Sequence, residues 1–154
     1  MRAEAADNRR IPPPVYFLVA LILMVCLHLV LPGPQVLASP LRYIGWPVVV
    51  AAISLVLWAT GLFRKAGTTI KPFQESSVLV LGGPYRLSRN PIYAGLVSAL
   101  LGIGLLLGSV SPFVVVPVFV ALIDLRFIRA EEAVLERRFG AAYRAYKARV
   151  RRWL

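Results

Sequence analysis

Four apolar runs, each close to the length a helix needs to cross a bilayer, constrain this chain more than any other feature. They cover roughly residues 14–31, 41–63, 91–109 and 112–128; an α-helix spans the hydrocarbon with about 20 apolar residues. Leu, Val, Ala, Ile and Gly dominate the runs with no two-residue alternation, which argues against a β-barrel. At 154 residues and 58% hydrophobic content, the chain carries more apolar surface than one soluble core could hide. The expectation is an all-α integral membrane protein, one domain over residues 1–154, folded as a four-transmembrane-helix bundle.

Charge orients that bundle. The chain has 18 Lys and Arg against seven Asp and Glu, a formal net charge of +11. Seventeen of the basic residues lie before the first run, between the second and third, or from Arg126 onward; the first hairpin loop holds only Arg42 and the second none. This is the positive-inside pattern with both termini cytoplasmic, in the inner membrane if the source is bacterial. Topology thus accounts for the basicity, and no nucleic-acid partner is expected. Arg9-Arg10, an apolar run and Val36-Leu37-Ala38-Ser39 also fit a cleaved signal peptide, but the run is long for one, and a retained first span is expected. Cys26, the single cysteine, excludes an intramolecular disulfide and a cysteine metal site. His28 reads as an interhelical hydrogen-bonding group, and no metal site is expected.

Between the second and third runs, residues 64–90 are too long for an idle connection and should fold back to line a cavity. The third run opens on Asn90-Pro91, a helix cap followed by a first-turn proline. Ala94, Ser98 and Gly102, then Gly104 and Gly108, recur at four-residue spacing, which lets helices approach closely in lipid. The turn at 108–112 is tight, so the last two spans should form a close antiparallel hairpin. The fourth helix should continue past the membrane through Asp124, Arg126, Arg129, Glu131 and Glu132, with Gly140 bending it. Leu135, Phe139, Tyr143, Tyr146, Val150 and Trp153 then form one apolar stripe, an amphipathic C-terminal helix that lies on the membrane or covers the mouth of the bundle.

That hairpin brings two clusters to one depth: Tyr85, Arg86, Arg89, Asn90 and Tyr93 at the start of the third span, and Asp124, Arg126, Arg129, Glu131 and Glu132 at the end of the fourth. Asp124, seven residues before Glu131, should share its helix face and pair with a nearby arginine. Cations, carboxylates and phenol rings together suit a ligand that is itself zwitterionic and carries a further positive charge, such as S-adenosyl-L-methionine. Its ammonium and sulfonium need carboxylates and ring faces; its carboxylate needs an arginine fork, for which Arg89 is placed.

Gly83-Pro84-Tyr85, Arg89-Asn90-Pro91 and Tyr93, then after two spans Glu131-Glu132, Leu135, Phe139-Gly140, Tyr143, Tyr146, Arg149-Val150 and Trp153, resemble the integral-membrane isoprenylcysteine carboxyl methyltransferases and their phospholipid methyltransferase relatives. The resemblance covers roughly residues 67–154. It implies an S-adenosylmethionine-dependent methyltransferase with a cytoplasmic cofactor pocket and a lateral opening for a lipophilic acceptor, whether a small molecule, a lipid or a lipidated molecule. It further implies that Tyr85, Asn90, Pro91, Ile92 and Tyr93 contact the cofactor with a loop containing Ser77, Val78, Leu79 and Val80. Glu131 would hold the cofactor's amino group, and Arg126 or Arg129 would face the acceptor. A carboxylate or thiolate acceptor needs no general base; for an amine, Glu132 or Tyr93 could serve. Asn90 stands where the prenylcysteine enzymes have His, and Ser77 near another; these departures bear on the prenylcysteine substrate and leave the cofactor site, because Asn can still hydrogen-bond. Two alternatives remain: a membrane reductase using a nicotinamide cofactor, whose relatives normally have more spans, and a non-catalytic basic membrane protein that binds anionic lipid or a partner. The sequence leaves the oligomeric state open.

Overall fold

The computed structural model describes residues 11–65 and 79–153. Helix α1 is Pro13–Val30. A 3-10 turn, Leu41–Ile44, leads into α2, Gly45–Lys65. A second such turn, Gly83–Arg86, precedes α3, Pro91–Leu107. A third, Ser111–Val114, opens α4, Val115–Ile123, which passes through a π-helical turn, Asp124–Ile128, into α5, Arg129–Arg149. Among the described residues there is no strand, only one isolated bridge between Gln35 and Ser109.

Among the described residues, three segments are long and apolar enough to cross a membrane: Pro13–Val30, Leu41–Lys65 and Ser111–Arg149. α3 is apolar but only 17 residues long, at the short end for a crossing. The outer surface suits lipid. Leu18, Val19, Ile22 and Leu23 on α1, and Val50, Ile53, Leu57 and Trp58 on α2, are all exposed; a water-soluble monomer rarely leaves so much contiguous apolar surface uncovered. Inside, Met24 of α1, Leu100 of α3 and Phe119, Ile123 and Ile128 of the last helix form the core. Edge-to-face ring pairs tie α1 to that helix, Phe17 to Phe119 and Tyr16 to Phe127.

The close helix pair is not the one the tight turn at 108–112 suggested. α3 packs far more extensively on α2 than on α4. A Cβ on Gly95 would lie 2.5 Å from Val56 Cγ2, and one on Gly102 would lie 2.8 Å from Val49 Cγ2 and 3.0 Å from the Gly45 carbonyl. Gly104 instead accommodates the Phe113 ring, and Gly108 is the left-handed cap of α3, φ +78°. α3 and α4 meet through side chains, yet the turn between them does bring the start of α3 beside the end of the last span. At the turn end, His28 Nδ1 lies 2.7 Å from Ser109 Oγ, and Val36 N–H donates to the Gly108 carbonyl, so the lone histidine is satisfied as expected.

Candidate functional site

The pocket end of the bundle is built around the start of α3. Pro91 fixes the first helical turn, but Asn90 does not cap it: its side chain makes no bond to the helix amides. The Asn90 Nδ2 donates to the Arg152 carbonyl at 3.0 Å, and its N–H donates to Ser88 Oγ. Ser88 Oγ also donates to the Arg152 carbonyl, and Arg89 N–H to that of Arg151. The chain's last residues therefore strap the Ser88–Asn90 hinge in place, and Trp153 packs against the core.

One turn into α3, the Tyr93 hydroxyl donates to Glu131 Oε1 at 2.7 Å across 38 residues. Burial holds the Glu131 carboxyl above the usual carboxylate range; the Tyr93 hydrogen bond opposes the rise and neighbouring Glu132 adds to it. Tyr85, buried, lies edge-to-face on Phe63 with ring centroids 5.5 Å apart. Tyr146 Oη donates to its carbonyl at 2.6 Å. Burial raises the Tyr85 phenol, and Tyr146 and Glu131 raise it further. Tyr143 and Tyr146 are both pushed up to about 12, chiefly by burial.

Glu132 leaves α5 in another direction and sits in a buried ionic cluster. Arg89 Nη2 lies 3.2 Å from Glu132 Oε1, both side chains at least nine-tenths buried. Arg152 meets both Glu132 oxygens, Nη2 at 2.7 Å and Nε at 3.2 Å, and reaches Asp124 Oδ1 with Nη1 at 3.1 Å. Arg129 Nε is 2.8 Å from Asp124 Oδ2. Asp124 thus pairs with arginine as expected, but it shares a face with Glu132 rather than Glu131. The π turn between them adds one residue to the helical circuit, so eight residues span the angle that seven would in an unbroken α-helix.

The expected site residues divide accordingly. Tyr85, Tyr93 and Glu131 come together. Asn90 and Pro91 form their base, with Ile92 half-buried in the same turn. Arg89 and Glu132 are paired with each other beside them. Arg126 is exposed and Arg129 largely so. Leu79 and Val80 are half-buried on the approach to the hinge; Ser77 and Val78 lie outside the described residues. The tail stripe covers the mouth of the bundle: Tyr143 is 1% exposed and Tyr146 reaches the hinge. Phe63, Ser88 and Arg152 were not anticipated. Arg149 and Arg151 stand beside Arg152 in the sequence, and only its two carboxylate partners distinguish it.

The phospholipid methyltransferase family model matches residues 41–142, about two thirds of the chain. The chain belongs to the phospholipid methyltransferase family. The match runs from the turn before α2 through the hinge, the Tyr93–Glu131 contact and the ionic cluster's carboxylates, and ends just short of Tyr143; α1 and the Arg151–Trp153 strap lie outside it. An uncharacterised protein of Haemophilus influenzae is 41% identical over 63 residues, which is 41% of this chain and the whole of that protein. No solved structure matches the chain. Family membership makes this a membrane methyltransferase in general terms and supports its association with the bilayer and with lipid.

Proposed function

We propose that the protein transfers a methyl group from S-adenosyl-L-methionine to a lipophilic acceptor that reaches it from the bilayer, with the pocket end of the bundle facing the cytoplasm. The observation that carries this reading is the 2.7 Å bond between Tyr93 and the half-buried Glu131, with Tyr85, packed on Phe63, close enough to feel the Glu131 carboxyl. The donor set fits the cofactor. A carboxylate in a nearly dry site binds an ammonium strongly, and aromatic faces suit a sulfonium. The first-turn amides of α3 have no partner within the helix and, at the positive end of its dipole, suit a carboxylate.

The cofactor, once bound, supplies an electrophilic methyl group. The chain's own work is to align and to exclude water. Tyr93 holds the Glu131 carboxylate in one orientation. Phe63 and Tyr146 fix Tyr85, one through its ring and the other through its carbonyl. The strap from Arg151 to Trp153 fixes the hinge that carries Asn90 and Pro91. Glu132, already held by two arginines, orients those arginines; for an amine acceptor, the Tyr93 hydroxyl oxygen takes the amine proton as its own proton passes to Glu131 Oε1, with which it is hydrogen-bonded.

Equilibrium binding of radiolabelled S-adenosylmethionine to protein in lipid nanodiscs tests the reading. Wild type should bind, and Glu131→Ala should bind about 10–100-fold more weakly, as expected for loss of a charged hydrogen bond. Absence of binding by well-folded wild type ends the proposal. Label recovered in the lipid fraction then identifies the acceptor class.

A further inference from the structure

The residues offered to the cofactor are covered. Tyr85 is 6% exposed, Tyr93 7% and Asn90 9%, so S-adenosylmethionine meets them only after something above them moves. The spans are poor candidates for that movement: eight residues of α3 alone are buried. The tail is held differently. Among residues 141–153 only Tyr143 is fully buried, and Trp153 adds a partly buried ring against the core.

The tail's other attachments are polar, and they converge on the hinge before α3. Tyr146 Oη donates to the Tyr85 carbonyl at 2.6 Å. The Arg151 carbonyl accepts from Arg89 N–H, and the Arg152 carbonyl from Ser88 Oγ and Asn90 Nδ2. The Arg152 guanidinium locks the end down on Asp124 and Glu132. Water can take the place of each of these bonds, so their release costs far less than exposing an apolar face. Closure also leaves a strain in place. Arg89 Nε and Nη1 are buried with no hydrogen-bond partner, a condition that favours any state in which water reaches them. Arg152 and Trp153 line one groove with Arg89, so lifting them uncovers it.

The arm has a pivot as well. Gly140, at φ +49° and ψ −118°, interrupts α5 with a conformation outside the helical region. A Cβ there would meet nothing within 4 Å, so the backbone angles, and not the space, call for glycine. Helix continues on both sides of it. A change of two dihedrals at Gly140 therefore swings residues 141–153 as a unit and carries Tyr146 and the strap off the hinge.

We infer that residues 141–153 form a lid over the candidate cofactor cluster, pivoting at Gly140 and latched by Arg152, that opens to admit the cofactor and closes over it. What the lid admits rests on the cofactor reading above; its movement does not, and is measured with and without cofactor.

The test is pulsed electron paramagnetic resonance on full-length protein in lipid nanodiscs. Spin labels are placed at Arg64→Cys and Ala148→Cys, exposed positions at the end of α2 and on the arm, in a Cys26→Ser background. Without cofactor, a short and a long distance should coexist. Arg152→Gln should raise the ratio of long to short at least about tenfold, the measure of one lost charged hydrogen bond. Gly140→Ala, which disfavours the bent form, should shift it the same way, and Arg144→Gln, on the exposed side of the arm, should leave it unchanged. Saturating S-adenosylmethionine should lower the ratio by about tenfold, and the bound cofactor should leave the Arg152→Gln protein faster than wild type. One distance, unmoved by cofactor or by either substitution in folded protein, overturns the lid; so does cofactor binding that leaves the ratio where it was. If radiolabelled cofactor does not bind while both substitutions still lengthen the distance, the lid and its latch stand and the cofactor reading alone falls.

Discussion

Glu131 is a carboxylate placed against its own preference. Burial raises its pKa above the usual range, so ionisation costs stability: the contribution of the neutral form is fully present below the unfolded-state pKa and is lost as pH rises through the folded one. Binding a cation needs the opposite form. Stability and cofactor affinity should therefore move in opposite directions as pH rises through the raised pKa. Glu131→Gln, which can still accept from Tyr93, is expected to flatten the pH dependence of thermal unfolding and to weaken S-adenosylmethionine binding at neutral pH. Calorimetry and equilibrium binding on the same sample check both. Arg89 presents a different balance. Its pair with Glu132 is buried on both sides, and removing one partner strands the other charge. Arg89→Met is expected to cost about 3–5 kcal/mol, and Arg89→Met combined with Glu132→Leu to recover most of it; denaturation in mild detergent reads both.

At the scale of elements, two departures from regular helix position everything else. The π turn at Asp124–Ile128 brings Asp124 and Glu132 onto one face, where Arg152 bridges them. Deleting one residue from that turn restores an unbroken α-helix and rotates α5 about 100° against α4. The expected result is loss of the Arg152 bridge and separation of Tyr93 from Glu131, read as loss of cofactor binding while the helical circular dichroism stays near wild type. The second departure is the absence of side chains at Gly95 and Gly102, which lets α3 lie against α2. Gly102→Leu would drive a side chain into Val49 and the Gly45 carbonyl; overpacking of this kind costs about 1–3 kcal/mol or more, against little change for Gly61→Leu, where a Cβ meets nothing within 4 Å. Unfolding of the two variants side by side gives the comparison.

For the whole molecule, the chain's end closes the structure. Residues 151–153 receive hydrogen bonds from Ser88, Arg89 and Asn90 and send Arg152 into the acidic pair, so a local segment joins the hinge, the last span and α5. Truncation after Val150 is expected to loosen the hinge without unfolding the apolar core. Hydrogen exchange should rise selectively at residues 85–93, and uniform exchange across all helices would contradict that. α1 contributes Met24, Phe17 and Tyr16 to the core although it stands outside the matched family region.

Much of this was legible in the residues themselves. Apolar run length identified the helices, because hydrocarbon rewards a continuous apolar stretch wherever its neighbours lie. Asn90-Pro91 marked the start of α3, and Gly140, at φ +49°, marked the bend in α5, because backbone limits act within a residue or two. The juxtaposition of Tyr93 and Glu131 was inferable from a short turn and two helices of similar length. What the sequence left undecided depended on angles summed along a helix and on contacts between distant segments. One additional residue in a π turn moved Asp124 from the expected side of Glu131 to that of Glu132. That Gly95 and Gly102 face α2 was set by packing. Only the folded chain could single out Arg152 from a run of like charges, since a guanidinium's role is fixed by the carboxylates it meets and not by the residues beside it.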